Sequence, residues 1–174
     1  MKKGLALIGL LVFAAVFAQQ VTNLTEFKES IKKNKAEAKE SIKPYLYDGY
    51  KTTYFNYKTY KQTKEVEIYL FNNTEYRLAF NGKSCPQNIT VKIYDESKNA
   101  SNRVLLKQID SVKDQNIVVQ TKELNAAYTA ASSSNTNLKR VFVEYEIPAT
   151  PDANNANPTI EHRGAVVLVM GYKN

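Results

Sequence analysis

From Lys51 onward apolar side chains recur at every second position in one short run after another, an alternation that restricts these segments to strands with one buried face. The runs cover Lys51 to Tyr60, Glu65 to Asn72, Glu75 to Asn81, Ile89 to Asp95, Arg103 to Ile109, Asn116 to Thr121, Lys139 to Ile147 and Gly164 to Tyr172. Val66, Ile68 and Leu70 define one such face, Tyr76, Leu78 and Phe80 a second, and Ile89, Val91 and Ile93 a third. With no helical pattern between most of them, these runs predict a mainly β protein: an antiparallel two-sheet β-sandwich, jelly-roll-like, of about eight strands. A single closed barrel is the rival. The last run, Ala165 to Met170, is apolar on both faces and is therefore expected in the centre of a sheet, its second face covered by a helix. Asn72-Asn73-Thr74 reads as a short hairpin connection between its neighbours.

The polar faces carry Glu and Lys, which argues against an outer-membrane barrel. Upstream, Lys2 and Lys3 precede an apolar run from Leu5 to Phe17 that ends at Ala18-Gln19, the form of a secretory signal peptide with cleavage expected after Ala18. The run falls short of the roughly 20 residues of a membrane span, so no integral span is expected after cleavage. The absence of a Cys at the cleavage point argues against a lipid anchor, and the short leader is of the Gram-negative kind. The expected location is the periplasm or the medium. Cys85 is the only cysteine, so the core must hold without an intramolecular disulfide. The setting Asn81-Gly82-Lys83-Ser84-Cys85-Pro86 suggests a turn, where the thiol could be exposed and pair with another chain; the favoured reading is a partly buried Cys acting as a small hydrophobe.

Between the leader and the strands, Thr25 to Lys43 is rich in Lys, Glu and Ala, with Phe27, Ile31, Ala38 and Ile42 near a 3.6-residue period and Pro44 behind them. This predicts one amphipathic helix with a thin apolar stripe, loosely docked. The domain reading is thus 1–18 signal peptide, 19–44 N-terminal helix and 45–174 sandwich. Two segments, Ala126 to Asn137 and Pro148 to His162, lack strand rhythm and read as long loops at opposite ends of the strand between them.

The net charge of +7, two of it from the leader lysines, comes mostly from Lys interleaved with Glu; the arginines are Arg77, Arg103, Arg140 and Arg163. That pattern is not one for nucleic acid. It adds at most a mild attraction to lipid headgroups or acidic polysaccharide.

Tyrosine is the densest unusual feature. Tyr45, Tyr47, Tyr50, Tyr54, Tyr57 and Tyr60 stand within one stretch together with Lys51, Lys58 and Lys61. Flat rings beside ammonium groups suit stacking on a ligand such as a sugar, and Tyr50, Tyr54, Tyr57, Lys58 and Tyr60 are the candidate binding residues. On a strand, Tyr54 and Tyr60 share a face with Thr52, Asn56 and Lys58, while Phe55 and Tyr57 share the other, and one face must be core. The lack of Trp weighs against a carbohydrate site.

For catalysis the material is thin. Glu65/Glu67 and Glu144/Glu146 are carboxylate pairs about 6–7 Å apart by strand rise, within reach of glycosidase chemistry, but they lie opposite the apolar faces of their strands. His162 is the sole histidine, at the edge of a loop, and no nucleophile-elbow or phosphate-binding glycine motif occurs. Asp95, Glu96, Asp110 and Asp114 match no calcium-loop spacing. No cofactor and no metal are expected.

The segments Tyr76-Arg77-Leu78-Ala79-Phe80, Ile89 to Asp95 and Gly164 to Val169 resemble the bacterial pre-peptidase C-terminal type of secreted β-sandwich. The resemblance implies a non-catalytic appendage and carries no functional residue. The expected function is an exported, non-enzymatic module that binds a protein or glycan outside the cytoplasm through its loops or its Tyr/Lys segment. The alternatives are a polysaccharide hydrolase and an envelope component that self-associates through the helix and a sheet edge.

Overall fold

The computed structural model describes residues 23–72, 74–133, 136–153 and 159–173; the predicted leader lies outside them. An N-terminal helix, α1, spans residues 23–41. Strands follow at Leu46–Asn56 (β1), Gln62–Tyr69 (β2), Glu75–Ser84 (β3), Thr90–Tyr94 (β4), Leu105–Ile109 (β5) and Asn116–Gln120 (β6). A second helix, Thr121–Ser132 (α2), then leads to Arg140–Ile147 (β7), a 3₁₀ turn at Ile160–His162 and Arg163–Lys173 (β8). Every period-two run of the sequence is a strand.

The strands form two four-stranded antiparallel sheets, ordered β1-β8-β3-β6 and β2-β7-β4-β5. The pairing has a simple rule: first strand with last, second with seventh, third with sixth, fourth with fifth. A chain folded once at β4–β5 and wrapped so that successive pairs alternate between sheets is a jelly roll. This corrects the reading of residues 72–74 as a hairpin. β2 and β3 belong to different sheets, so their short connection crosses the sandwich, and Leu70 is buried in the core where it crosses.

Both inner faces close on one core. Phe55, Ile68, Tyr76, Leu78, Phe80, Val91, Ile93, Val141, Val143, Tyr145, Val166 and Leu168 fill it, and burial of this apolar area is the main force holding the sheets together. β8 serves two layers, as its two-sided pattern requires. Val166, Leu168 and Met170 point between the sheets, while Ala165, Val167 and Val169 point outward to a second cluster under α1.

The helix is firmly seated, which corrects the expectation of loose docking. Ile31, Ala38 and Ile42 are buried against Ala79, Ala165, Val167 and Val169, and polar anchors supplement this narrow stripe. The Ser30 hydroxyl meets that of Ser84 at 2.8 Å, the Asn34 amide meets Ser84 Oγ at 2.7 Å, and Asn116 Nδ2 donates to Ser41 Oγ at 2.6 Å. Lys83 Nζ binds Glu37 at 2.6 Å. Just past α1 the chain approaches β8 so closely that a Cβ at Gly171 would lie 2.6 Å from Ile42 Cδ1, so a larger residue there would force the Ile42 side chain to shift.

The segment 126–137, expected as a loop, is helical as far as Ser132. Ala126, Ala127, Ala130 and Ala131 favour helix, Leu124 enters the main core, and Ala127 and Tyr128 pack beside it. Thr121 fixes its start by accepting from the backbone N–H of Tyr76 at 2.8 Å. The helix ends at Ser133, whose left-handed backbone (φ 53°) places its N–H 3.0 Å from Thr129 O.

Candidate functional site

α1 runs down the outside of the first sheet, the chain turns at the cis Lys43–Pro44 bond, and β1 returns beside it as the edge strand. The outer face of β1 therefore forms one wall of a groove and the flank of α1 the other. The register fixes which side chains line it. Tyr50, Thr52 and Tyr54 are opposite Val169, Val167 and Ala165, the β8 residues that face α1. Tyr47, before the bulge between Tyr47 and Gly49, is opposite Gly171 on the same side.

The helix meets this row with lysines. Lys28, Lys32, Lys35 and Lys39 lie four, three and four residues apart, which at 100° per residue places them in one stripe about 60° wide. Lys35 Nζ sits 3.4 Å from the centroid of the Tyr50 ring and Lys39 Nζ 4.7 Å from that of Tyr47. Two contiguous clefts occupy the groove. One, of about 540 Å³, lies between the start of α1 and the end of β1, with Lys28, Tyr54, Lys58, Lys64 and Arg163 on its walls. The other, of about 640 Å³, continues along the helix past Lys28, Lys32, Lys35, Tyr50 and Tyr54. Tyr54 borders both. It is 58% exposed, and among the described residues no cation covers its ring.

The candidate residues thus divide. Tyr50, Tyr54 and Lys58 line the groove. Tyr60 is exposed but lies beyond β1, its ring 5.6 Å from Lys58 Nζ. Tyr57 leaves the set: its side chain is fully buried, its hydroxyl donates to Gln87 O at 2.6 Å, and burial raises its pKa. The expected strand to Tyr60 stops at Asn56 because its partner β8 begins at Arg163, the residue opposite. Sequence reasoning missed the lysine stripe, which the spacing of Lys28, Lys32, Lys35 and Lys39 would have disclosed.

The carboxylate pairs stand elsewhere, on the outer face of the second sheet. Glu65 and Glu144 are directly opposite one another, an arrangement of like charges that by itself repels. Arg103 resolves it. Its Nη1 is 2.9 Å from Glu144 and 3.9 Å from Glu65, and its guanidinium stacks 3.8 Å from the Tyr94 centroid. Glu146 receives Lys92 at 2.9 Å and Lys61 at 3.2 Å. Burial, the largest single influence, pushes the Glu146 carboxyl up, but the bonds and charges of Lys92 and Lys61 outweigh it and leave the group below its ordinary value. Glu144, 5% exposed, and Glu146 are each engaged by a cation rather than set as an acid and a base in unequal surroundings.

The remaining sequence candidates are structural. Cys85, read as part of a turn, is buried in the main core with its thiol 3.3 Å from Ala165 O, and burial pushes its pKa up to about 12. His162 ends the 3₁₀ turn, with its Nδ1 3.0 Å from Thr159 Oγ1. Asp95 accepts from the Val104 N–H at 2.6 Å and Glu96 pairs with Arg140 at 3.2 Å. Among the described residues, no three His, Cys, Asp or Glu side chains gather as a metal site, and no helix is long and apolar enough to cross a membrane.

No protein-family model and no curated protein matches the chain. Among solved structures it is similar to PirA, at 8% identity and a TM-score of 0.36 over 70% of this chain and 93% of that one. It is also similar to a CBM4 structure, at 15% identity and a TM-score of 0.34 over 76% and 77% of the two chains. A third is TmCBM61 in complex with β-1,4-galactotriose, at 10% identity and a TM-score of 0.33 over 76% and 90%. Likenesses this loose add nothing to the strand order described above and assign no ligand.

Proposed function

We propose that this chain is an exported, non-catalytic binding module that takes an extended glycan into the groove between α1 and β1. The observation that carries this reading is Tyr54. Its ring is exposed at the junction of two clefts and free of any covering cation among the described residues, which makes it a platform on which the apolar face of a sugar ring can stack. Around it stand hydrogen-bonding groups of the kind that fix sugar hydroxyls, including Asn56, Thr52 and Gln62. The groove rests on a helix and a strand rather than on loops, so its geometry is set in advance and little is lost in ordering it. A hydrolase working through the strand carboxylates is the weaker reading, because Glu144 and Glu146 are each engaged by cations. The leader supports export, with the mature chain starting at Gln19.

Affinity electrophoresis of the mature chain through gels containing neutral and acidic polysaccharides tests the proposal. At least one polysaccharide is expected to retard it, and Tyr54→Ala to weaken that binding about tenfold. Tyr69→Ala serves as the control, since Tyr69 is 69% exposed but on the other sheet. Equal loss in both variants, or no retardation in any gel, would sink the reading.

A further inference from the structure

We infer that the glycan of this groove is a linear acidic one, held through its carboxylate or sulfate groups by Lys28, Lys35 and Arg163; the inference rests on the glycan-binding reading above. Its basis is a segregation of charge. The two clefts present Lys28, Lys32, Lys35, Lys58, Lys64 and Arg163, and no Asp or Glu lines either. Of these cations only Lys32 has a carboxylate partner among the described residues, Glu29 at 2.6 Å. Elsewhere Lys61, Lys83, Lys92, Arg103, Lys107 and Arg140 each meet an acid, and the cations that do not, such as Lys51, Lys113 and Lys122, are scattered singly rather than gathered in a cleft. Helix geometry makes the arrangement costly, since like charges three and four residues apart repel. A ligand that carries regularly spaced negative charge along the groove relieves that repulsion.

Arg163 gives the groove a fixed point. It begins β8 at the base of the cleft beside Lys28. Its guanidinium lines that cleft with no carboxylate partner among the described residues, and a guanidinium offers paired donors to the planar carboxylate of an acidic group that enters. Lys35 then stands two helical turns beyond Lys28, about 10 Å of helix rise away.

Other polyanions fit less well. A membrane-surface helix needs an apolar face to insert, but Ile31 and Ala38 of α1, and Ile42 just after it, are buried against the sheet. A single nucleic-acid strand binds through successive open ring faces. Here Lys35 and Lys39 cover Tyr50 and Tyr47, leaving Tyr54 as the open ring in the groove. The resulting wall of ammonium and phenol groups matches alternating carboxylates and hydroxyls.

Calorimetric titration of the mature chain tests this with polygalacturonate, dextran sulfate, dextran, laminarin, poly-L-glutamate, an oligo-dT strand and phosphatidylglycerol vesicles. The expected result is preference for polygalacturonate or dextran sulfate, weakened by added NaCl, and lost about tenfold in Lys28→Ala/Lys35→Ala with the melting temperature unchanged. Arg163→Lys, which keeps the charge but not the paired donors, is expected to weaken polygalacturonate by a smaller factor. Dextran or laminarin bound as tightly, and indifferent to the lysine variant, would overturn the acidic assignment while leaving glycan binding intact. Poly-L-glutamate, oligo-dT or vesicles bound as tightly as the acidic glycan would overturn it as well. Failure of every polysaccharide would remove both readings together.

Discussion

The outer faces of the two sheets are built from the same residue types and put them to opposite use. On the β2-β7-β4-β5 sheet, Glu65, Glu144 and Glu146 are interleaved with Arg103, Lys61 and Lys92, and each acid has a cation within 4 Å. On the β1-β8-β3-β6 sheet, a helix covers the middle and sorts the charges to its two sides. Glu37 turns towards Lys83 and Asn81 on β3, while the lysine stripe turns towards β1 and its tyrosines. The first face has met its electrostatic needs internally; the groove has not. Charge composition alone therefore does not tell the two faces apart, because the distinction lies in which charges the fold brings together.

Removal of Arg103 should break the paired face most severely. Arg103→Ala leaves Glu144 buried and its charge largely uncompensated beside Glu65. Breaking a fully buried pair costs about 3–5 kcal/mol, and since the Arg103 side chain is about a quarter exposed a loss of about 2 kcal/mol is expected. In a domain of this size that is a fall of about 4–8 °C in Tm. The double variant Arg103→Ala/Glu144→Ala should lose less than the sum of the two single changes, because neither charge is then stranded. Additive losses in a double-mutant cycle would mean that the pair contributes only packing.

Acid should expose the same contrast with a smaller effect. Glu146 and Glu37 both have folded pKa values below the ordinary carboxylate value, Glu37 chiefly through its bond from Lys83. A depressed carboxyl contributes stability above its unfolded pKa, and this is lost as pH falls through the folded value. Melting temperature should thus decline below about pH 4.5, the region where free carboxylates begin to protonate, and Glu146→Gln should flatten the decline. An unchanged pH profile in that variant would assign the acid sensitivity to other groups.

The strands were legible because burial writes itself into sequence with period two. β8 is the clearest case: apolar residues on both faces announced a central strand with a helix on its far side, and Val167 and Val169 lie under α1. Connections were not legible in the same way. Nothing local to Asn72 says whether the next strand pairs with the last or crosses to the other sheet; that is decided by which distant strand completes each ladder. α2 was hidden because it buries little beyond Leu124 and Thr121, too few positions to set a helical period against a background of Ala and Ser. The groove was half visible. Tyr50, Tyr54 and Lys58 were found from their chemistry, but Tyr57 was included because the strand face that becomes core is fixed by the opposing sheet. The lysine stripe was present in the spacing of Lys28, Lys32, Lys35 and Lys39, yet only the turn that folds β1 back along α1 gives the stripe a partner.

The smallest expected effect sharpens the comparison most. Lys35→Ala removes the ammonium 3.4 Å from the Tyr50 ring, a contact worth about 0.5–1 kcal/mol at an exposed site. The same change relieves repulsion with Lys32 and Lys39, about 0.2–0.5 kcal/mol for each pair, and places a better helix former at that position. The gains and the loss nearly cancel, so stability should change by less than about 0.5 kcal/mol at low salt. Unchanged stability here, beside a loss of about 2 kcal/mol at Arg103, would show that the stripe is not needed to seat α1 against β1. A destabilisation at Lys35 as large as that at Arg103, measured by thermal melting of the two variants side by side, would instead make the stripe part of the mortar between α1 and β1.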